Sequence, residues 1–287
     1  MISFDQIKTI GVVGAGTMGQ GIAQICAQAG YQTILFDIKA PVLDKARQTT
    51  ETNLSKAVER GKLTEAGKKE SLERLCFSRN MTDVHADFII EAVVERLEVK
   101  HSIFQELAML NGPDTILASN TSSIPITQIA SKISNPGRVV GMHFFNPAHI
   151  MKLVEVISGV ATEPAVAETV AKLAEKLGKV AVHAADAPGF IVNRVARHFY
   201  VEGLKLLEEK VADHETIDKL MQSSGFKMGP FQLIDLIGVD TNFSVTSSMF
   251  EAFHYDPKFR PNRIQQQKVE AGHHGRKTGK GFYDYTA

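Results

Sequence analysis

Apolar residues in the first half of the chain come in short runs separated by longer polar stretches of helical period. That alternation predicts a parallel sheet with helices on both faces. The candidate strands are "KTIGVVG" (8–14), "QTILFDI" (32–38), "DFIIEAV" (87–93), "TILASN" (115–120), "RVVGMHFF" (138–145), "KLVEVIS" (152–158) and "KVAVH" (179–183). Between the second and third runs lies a polar excursion, residues 40–75, rich in Lys, Glu, Ala and Leu. Its pattern predicts a helical hairpin protruding from the sheet and broken near "RGKLTEAGKK". "TEPAVAETVAKLAEKLG" predicts an amphipathic helix capped by Thr162, striped by Val166, Val170, Leu173 and Leu177, and ended by Gly178.

After "AADAPGF" the strand signals stop. "IVNRVARHFYVEGLKLLEE" and "HETIDKLMQSSG" predict helices, and a third is expected from about Leu236 to Phe253. The expected division is an α/β domain at 1–185 and an all-helical domain at 186–287, with the boundary near Asp186.

Composition narrows the possibilities. The 287 residues carry 32 Lys+Arg against 32 Asp+Glu, so no bulk field favours nucleic acid or a membrane surface. No apolar run reaches the length of a membrane span, and "MISFDQ" leads straight into a strand with no room for a signal peptide. Cytoplasmic placement is the expectation. Cys26 and Cys76 are too few for a disulfide framework and lack metal-ligand spacing, so no metal is expected; Cys26 reads as a buried, inert thiol. Residues 258–280 hold seven Lys or Arg and one acid, Glu270, which leaves a solvated segment and an anion contact as open readings.

Local chemistry is more specific. "VVGAGTMGQGIAQICAQAG" sets Gly14, Gly16 and Gly19 in G-x-G-x-x-G order, after a strand and opening a helix that begins near Thr17 and Met18. Such a turn lets a pyrophosphate approach the backbone N–H groups of a helix N-terminus. Asp37, at the end of the next strand, has the spacing of a partner for a ribose 2′-hydroxyl. The combination predicts a Rossmann-type doubly wound domain that binds NAD. Lys39 lies close enough to Asp37 to keep NADP as the alternative.

Ligands of doubly wound sheets lie beyond the carboxyl ends of the strands. Polar residues cluster there: Glu95, then Asn120, Thr121, Ser122 and Ser123, then His143. A lone histidine is usually a satisfied core or surface residue. Glu155, however, shares a strand face with Leu153 and Ile157, and a carboxylate on an apolar face is costly without a partner. A histidine and a carboxylate so placed can solve each other's problem. The acid would fix the imidazole tautomer and stabilise its protonated form.

With these residues on the page, the chain resembles the short-chain L-3-hydroxyacyl-CoA dehydrogenases, particularly the bacterial 3-hydroxybutyryl-CoA dehydrogenase branch. The matching stretches are "GVVGAGTMGQGIA", "FIIEAVVERLEVK", "ASNTSSIPIT", "GMHFFNPAHIMKLVEVI", "DAPGFIVNRV", "GPFQLIDLIGVD" and "GRKTGKGFYDY", spread over essentially the whole chain. The resemblance implies NAD-dependent interconversion of a 3-hydroxyacyl-CoA and its 3-ketoacyl-CoA, best illustrated by 3-hydroxybutyryl-CoA and acetoacetyl-CoA. It puts the catalytic pair on His143 and Glu155, and substrate hydrogen bonds on Ser122 and Asn193. From its residues alone, Asn193 reads as a helix-start position. On the cofactor side the resemblance adds Glu95, Lys100 and Asn120 to Asp37 and the glycine loop. The hairpin would help hold coenzyme A, with Lys56, Arg60 and Lys62 as phosphate candidates or simply a solvated helix face. A homodimer through the helical domain is also implied. The chain departs from the family pattern at Ala148, His149 and His198.

Other readings share parts of this pattern. A dehydrogenase of another 3-hydroxy acid, such as L-gulonate, would carry the same serine, histidine and glutamate. Dehydrogenases of the 6-phosphogluconate type also join a Rossmann domain to helices but rely on a lysine, against "SNTSS" and "HFFNP" here. A non-catalytic NAD-binding protein would have no need of the whole polar set.

Overall fold

The computed structural model describes residues 3–286; Met1, Ile2 and Ala287, at the outer ends of the two expected domains, lie outside them. The chain forms two compact units, Met1–Ala187 and Pro188–Ala287.

In the first unit, β1 (Thr9–Val13), α1 (Thr17–Gln28), β2 (Gln32–Phe36), α2 (Ala40–Glu59), α3 (Glu65–Glu73), β3 (Leu75–Ser78), β4 (Phe88–Glu91), α4 (Leu97–Leu110), β5 (Ile116–Ser119) and α5 (Ile126–Ala130) follow in order. They continue into β6 (Val139–Phe144), β7 (Leu153–Ser158), α6 (Pro164–Lys176) and β8 (Val180–Ala185). The strands make one sheet of order β3-β2-β1-β4-β5-β6-β7-β8. The strands from β3 to β6 in that order pair in parallel; β7 reverses, pairing antiparallel with β6 and parallel with β8. The central strands are buried on both faces, which explains why they read as continuous apolar runs rather than alternating ones. The main core packs Ile22 and Cys26 of α1 and Val166, Val170 and Leu173 of α6 against Val12, Ile90, Met142 and Val156 of the sheet. Burial among these groups pushes the Cys26 thiol far above its ordinary range, so it is held neutral.

The excursion at 40–75 forms the expected pair of helices: Leu43, Ala46 and Leu54 of α2 are buried, Asn53 donates to Gln24 of α1 at 3.3 Å, and the tip at Arg60 and Lys62 is exposed. Two expectations in this unit need correction. The chain after the excursion adds an unforeseen strand, β3, whose run "LCFS" is too short to show a period. Thr162 does not cap α6. Its hydroxyl donates to the Val139 carbonyl at 2.7 Å and accepts from the Gly159 amide, and Glu163 takes the cap position before Pro164.

The second unit contains α7 (Val192–Glu208), α8 (His214–Ser223), α9 (Pro230–Ile237), α10 (Val239–Ala252) and α11 (Arg263–Glu270). The single helix expected at 236–253 is two, because Gly238 sits at φ 105° and turns the chain between α9 and α10. Four cations of the late basic segment are paired with acids of the same unit: Lys258 with Asp256, Arg260 with Glu208, Arg263 with Glu270 and Lys277 with Asp240. Those pairings favour the solvated-segment reading over an anion contact. Among the described residues, no helix is long and apolar enough to cross a membrane.

The C-terminal segment is tied down by a buried acid. Asp235 of α9 accepts the amides of Phe282 and Tyr283, each at 2.9 Å, and the Tyr285 hydroxyl at 3.1 Å. Asp235→Ala would strand those donors, the Phe282 amide in a buried position, and is expected to destabilise the helical unit by about 2–4 kcal/mol. Urea unfolding followed by helical circular dichroism reads that loss as a lower midpoint.

Candidate active site

The site is assembled from the carboxyl ends of β1, β2, β4, β5 and β6. At the end of β1 the chain turns at Gly14, with φ 102° and its amide bonded to the Phe36 carbonyl at 2.8 Å. A Cβ on Gly14 would lie 2.6 Å from the Ala92 carbonyl oxygen, and one on Gly19 only 1.7 Å from the Gly14 carbonyl oxygen. At Gly16, by contrast, a Cβ would meet nothing within 4 Å. The turn is therefore pressed against protein on two sides and open where a phosphate would come. Gly16 caps α1 without a side-chain hydrogen bond, and Gly16 and Thr17 are exposed while Met18 is partly buried. This cradle suits a pyrophosphate at a helix N-terminus.

Asp37 lies beside that turn. One carboxylate oxygen accepts the Ala15 amide and the other the Lys39 amide, both at 2.9 Å. Two accepted bonds leave further lone pairs for a ribose hydroxyl. A carboxylate pinned there disfavours a 2′-phosphate, while the exposed Lys39 side chain remains the counter-argument.

Glu95 and Asn120 organise the loop that carries Ser122. One Glu95 oxygen accepts the Thr121 hydroxyl, the Ser122 amide at 3.0 Å, and the Ser123 amide and hydroxyl at 3.2 and 3.1 Å. Burial of this carboxyl opposes its ionisation. The Lys100 ammonium and the bonds from Thr121 and Ser122 outweigh that effect and hold it below the usual carboxylate range. Asn120 accepts the Phe144 amide through its side chain at 2.9 Å, which joins the loop to the strand end beside His143. Further along, Asp186 accepts the amides of Ile126 and Thr127, both at 2.8 Å, and caps α5.

Lys100 is fully buried, with its ammonium on both Glu91 oxygens at 2.7 and 2.8 Å and on Glu95 at 3.2 Å. Its place is beneath the loop, where it braces Glu95. Glu91 was not among the expected site residues. A signal for it existed: an acid inside "FIIEAV" raises the same question of pairing that Glu155 raises.

His143 and Glu155 are directly opposed partners across the antiparallel β6–β7 pair. Met142, Phe144, Val154 and Val156 turn into the core, so His143 and Glu155 share the opposite face. Both are buried, and His143 Nδ1 lies 2.8 Å from Glu155 Oε2. A carboxylate can only accept, so Nδ1 carries the hydrogen. The Phe145 ring packs on the imidazole with centroids 4.6 Å apart.

Lys56, Arg60 and Lys62 are all exposed near the turn between α2 and α3. Asn193 stands in the first turn of α7 in the second unit. Ala148 is buried, with a Cβ on Gly21 of α1 able to reach it at 3.3 Å, and Lys179 donates to the Ala148 and Met151 carbonyls at 2.6 and 2.8 Å. His198 stacks on Phe259 at 5.2 Å.

Glu95 provides a pH test. Its folded value lies below its unfolded one, so its contribution is present above the ordinary carboxylate range and is lost as pH falls through the folded value. The thermal-midpoint gap between the parent protein and Glu95→Gln should be widest near neutrality and close on acidification; a gap independent of pH contradicts the assignment. In the glycine turn, Gly19→Ala should abolish saturable NADH binding, measured by fluorescence titration, because its methyl and the Gly14 carbonyl cannot coexist.

Comparison with known proteins places this geometry in a family. The models for the 3-hydroxyacyl-CoA dehydrogenase NAD binding domain and C-terminal domain match residues 9–187 and 189–285. The chain is 49% identical to the 3-hydroxyadipyl-CoA dehydrogenase of Escherichia coli K12, over 98% of its own length and 60% of that protein's. The chain thus spans about three fifths of that relative. It is 41% identical to the 3-hydroxybutyryl-CoA dehydrogenase of Bradyrhizobium diazoefficiens, covering 97% of this chain and 96% of the relative. The crystal structure of (S)-3-hydroxybutyryl-CoA dehydrogenase from Ralstonia eutropha superposes with a TM-score of 0.94 at 39% identity, over 98% of this chain and all of the other. With both family models matched and relatives aligned along nearly their full lengths, the chain belongs to the 3-hydroxyacyl-CoA dehydrogenase family of NAD-binding oxidoreductases.

Proposed function

We propose that the chain is a cytoplasmic, NAD-dependent (S)-3-hydroxyacyl-CoA dehydrogenase that interconverts 3-hydroxybutyryl-CoA and acetoacetyl-CoA, with His143 and Glu155 as its acid–base pair. The observation that carries this reading is the buried His143 Nδ1 to Glu155 Oε2 contact at 2.8 Å. When bound, NAD supplies the hydride acceptor for substrate C3. With Nδ1 committed to the carboxylate, Nε2 is the atom that takes the 3-hydroxyl proton, and returns it in the reductive direction. Glu155 holds the ring in that tautomer and stabilises the imidazolium as the proton arrives. Ser122 and Asn193 are assigned hydrogen bonds to the substrate oxygen and thioester region, where charge changes during the transfer. Gly14, Gly16, Gly19 and Asp37 hold the cofactor; Glu95 and Asn120 shape the loop next to it.

A second substrate reading is favoured by a specific observation, the 49% identity to a 3-hydroxyadipyl-CoA dehydrogenase. A longer acyl chain ending in a carboxylate would then replace the butyryl group, with the same acid–base chemistry at C3.

Rates of NADH and NADPH oxidation with acetoacetyl-CoA, and of NAD reduction with 3-hydroxyadipyl-CoA and L-gulonate, separate these substrates. The expected result is turnover of acyl-CoA with NADH preferred; turnover of L-gulonate alone overturns the proposal. His143→Ala should lower kcat by about a hundred- to ten-thousandfold. Retention of most of the acetoacetyl-CoA rate would remove the histidine from its role.

We also propose a homodimer formed through the helical unit. Val195, Leu220, Phe226 and Leu236 are exposed there, which supports an apolar contact between copies. Light scattering should give twice the 31.4 kDa chain mass, and a monomer at micromolar concentration would refute it.

A further inference from the structure

Glu91, Lys100 and Ser119 form a buried polar cluster beneath the site, in which Glu91 has no role assigned so far. Glu91 is the last residue of β4, in register with Val13 at the end of β1 and Ser119 at the end of β5. Its side chain is fully buried. One oxygen accepts the Val93 amide at 2.8 Å and Lys100 at 2.7 Å; the other accepts the Ser119 hydroxyl at 2.6 Å and Lys100 at 2.8 Å. Its backbone carbonyl accepts the Asn120 amide at 2.7 Å.

Lys100 occupies an expensive place. It is fully buried, and it lies in the first turn of α4, where the helix dipole disfavours a cation. Nothing about packing requires an ammonium there, since an apolar side chain of similar length would fill the space. What the ammonium does is reach two carboxylates at once. Two contacts go to Glu91 and one, at 3.2 Å, to Glu95 Oε2, which matches its three donors. The other Glu95 oxygen collects the Thr121, Ser122 and Ser123 donors. A continuous chain of charge-assisted bonds therefore runs from the rigid strand end at Glu91, through Lys100 and Glu95, to the backbone of Ser122.

We propose that Glu91 is a positioning residue for the Ser122 loop, acting through Lys100 and Glu95. Glu91 fixes the ammonium, the ammonium fixes the Glu95 carboxylate, and that carboxylate sets where the Ser122 amide and side chain stand. Without the Glu91 charge, Lys100 is drawn wholly to Glu95 and pulls it inward, away from the loop. The consequence for catalysis rests on the dehydrogenase reading, but the loop displacement does not.

The test combines kinetics with amide exchange. Glu91→Gln should lower kcat for acetoacetyl-CoA reduction by about tenfold to a hundredfold, the scale at which a small misplacement of a substrate-positioning group is felt. In the same variant the Ser122 and Ser123 amides should exchange about tenfold faster, while β1 amides keep their protection. In a Glu95→Gln background, Glu91→Gln should add less than about a twofold further loss, because both act on one chain. Multiplicative losses in the double variant, or unchanged Ser122 and Ser123 exchange, overturn the proposal. Should Glu91→Gln fail to fold, Glu91→Leu combined with Lys100→Met removes both charges and leaves neither unpaired. Parent-like kcat and exchange in that double variant overturn the proposal as well. If the parent protein itself does not reduce acetoacetyl-CoA, the dehydrogenase reading fails while the exchange measurement still decides the role of Glu91.

Discussion

The antiparallel pairing of β6 with β7 is the constraint on which the proposed chemistry depends. Every other strand pair in the sheet is parallel, and parallel neighbours do not oppose residues so directly. Reversing one strand brings His143 and Glu155 face to face in register, twelve residues apart in sequence, at the end of the sheet where ligands of this architecture sit. The connection between them is short because only an antiparallel partner can be reached without a crossover helix. Burial then makes the pair obligatory for both members. Neither a carboxylate on that face nor an imidazole at that depth is tolerable alone.

Around this pair, carboxylates do most of the fixing of loop backbone. Asp37 holds Ala15 and Lys39, Glu95 holds Ser122 and Ser123, and Asp186 holds Ile126 and Thr127. Loops at strand ends have amide hydrogens that no sheet neighbour satisfies, so an acid on an adjacent element is an economical partner. A loop held this way can keep its shape without an apolar core of its own. That suits a surface that must accept a polar, phosphate-bearing ligand.

Much of the architecture was legible because strands buried on both faces and amphipathic helices leave strong periodic signals. The run "GVVGAGTMG" and the stripe through Val166, Val170, Leu173 and Leu177 are of that kind, and all four stripe residues are buried as the spacing implies. What escaped was local. "LCFS" is too short for a period, so the sequence pattern assigns no strand there. Gly238 inside an apolar stretch looks tolerable in a helix, yet its positive φ ends one helix and starts another. Thr162 has the chemistry of a cap, but its hydroxyl is taken by Val139 and Gly159. In the candidate site, the His143–Glu155 argument could be made from strand alternation alone. Lys100 could not be placed, because its partner Glu91 lies nine residues away on another element.

The two buried acids divide their work according to the group each is given as a partner. Glu91 faces an ammonium whose donors also reach Glu95, so that pair is a fixed strut. Glu155 faces Nδ1 of an imidazole, so that pair fixes the orientation of a ring whose second nitrogen lies on its other side. The sequence context of the two acids is nearly the same, a single glutamate in "FIIEAV" and in "LVEVIS". Their difference lies in what the fold sets opposite them. Glu91 receives the first turn of a helix, and Glu155 receives the neighbouring strand. One arrangement gives rigidity beneath the site, and the other orients a buried imidazole.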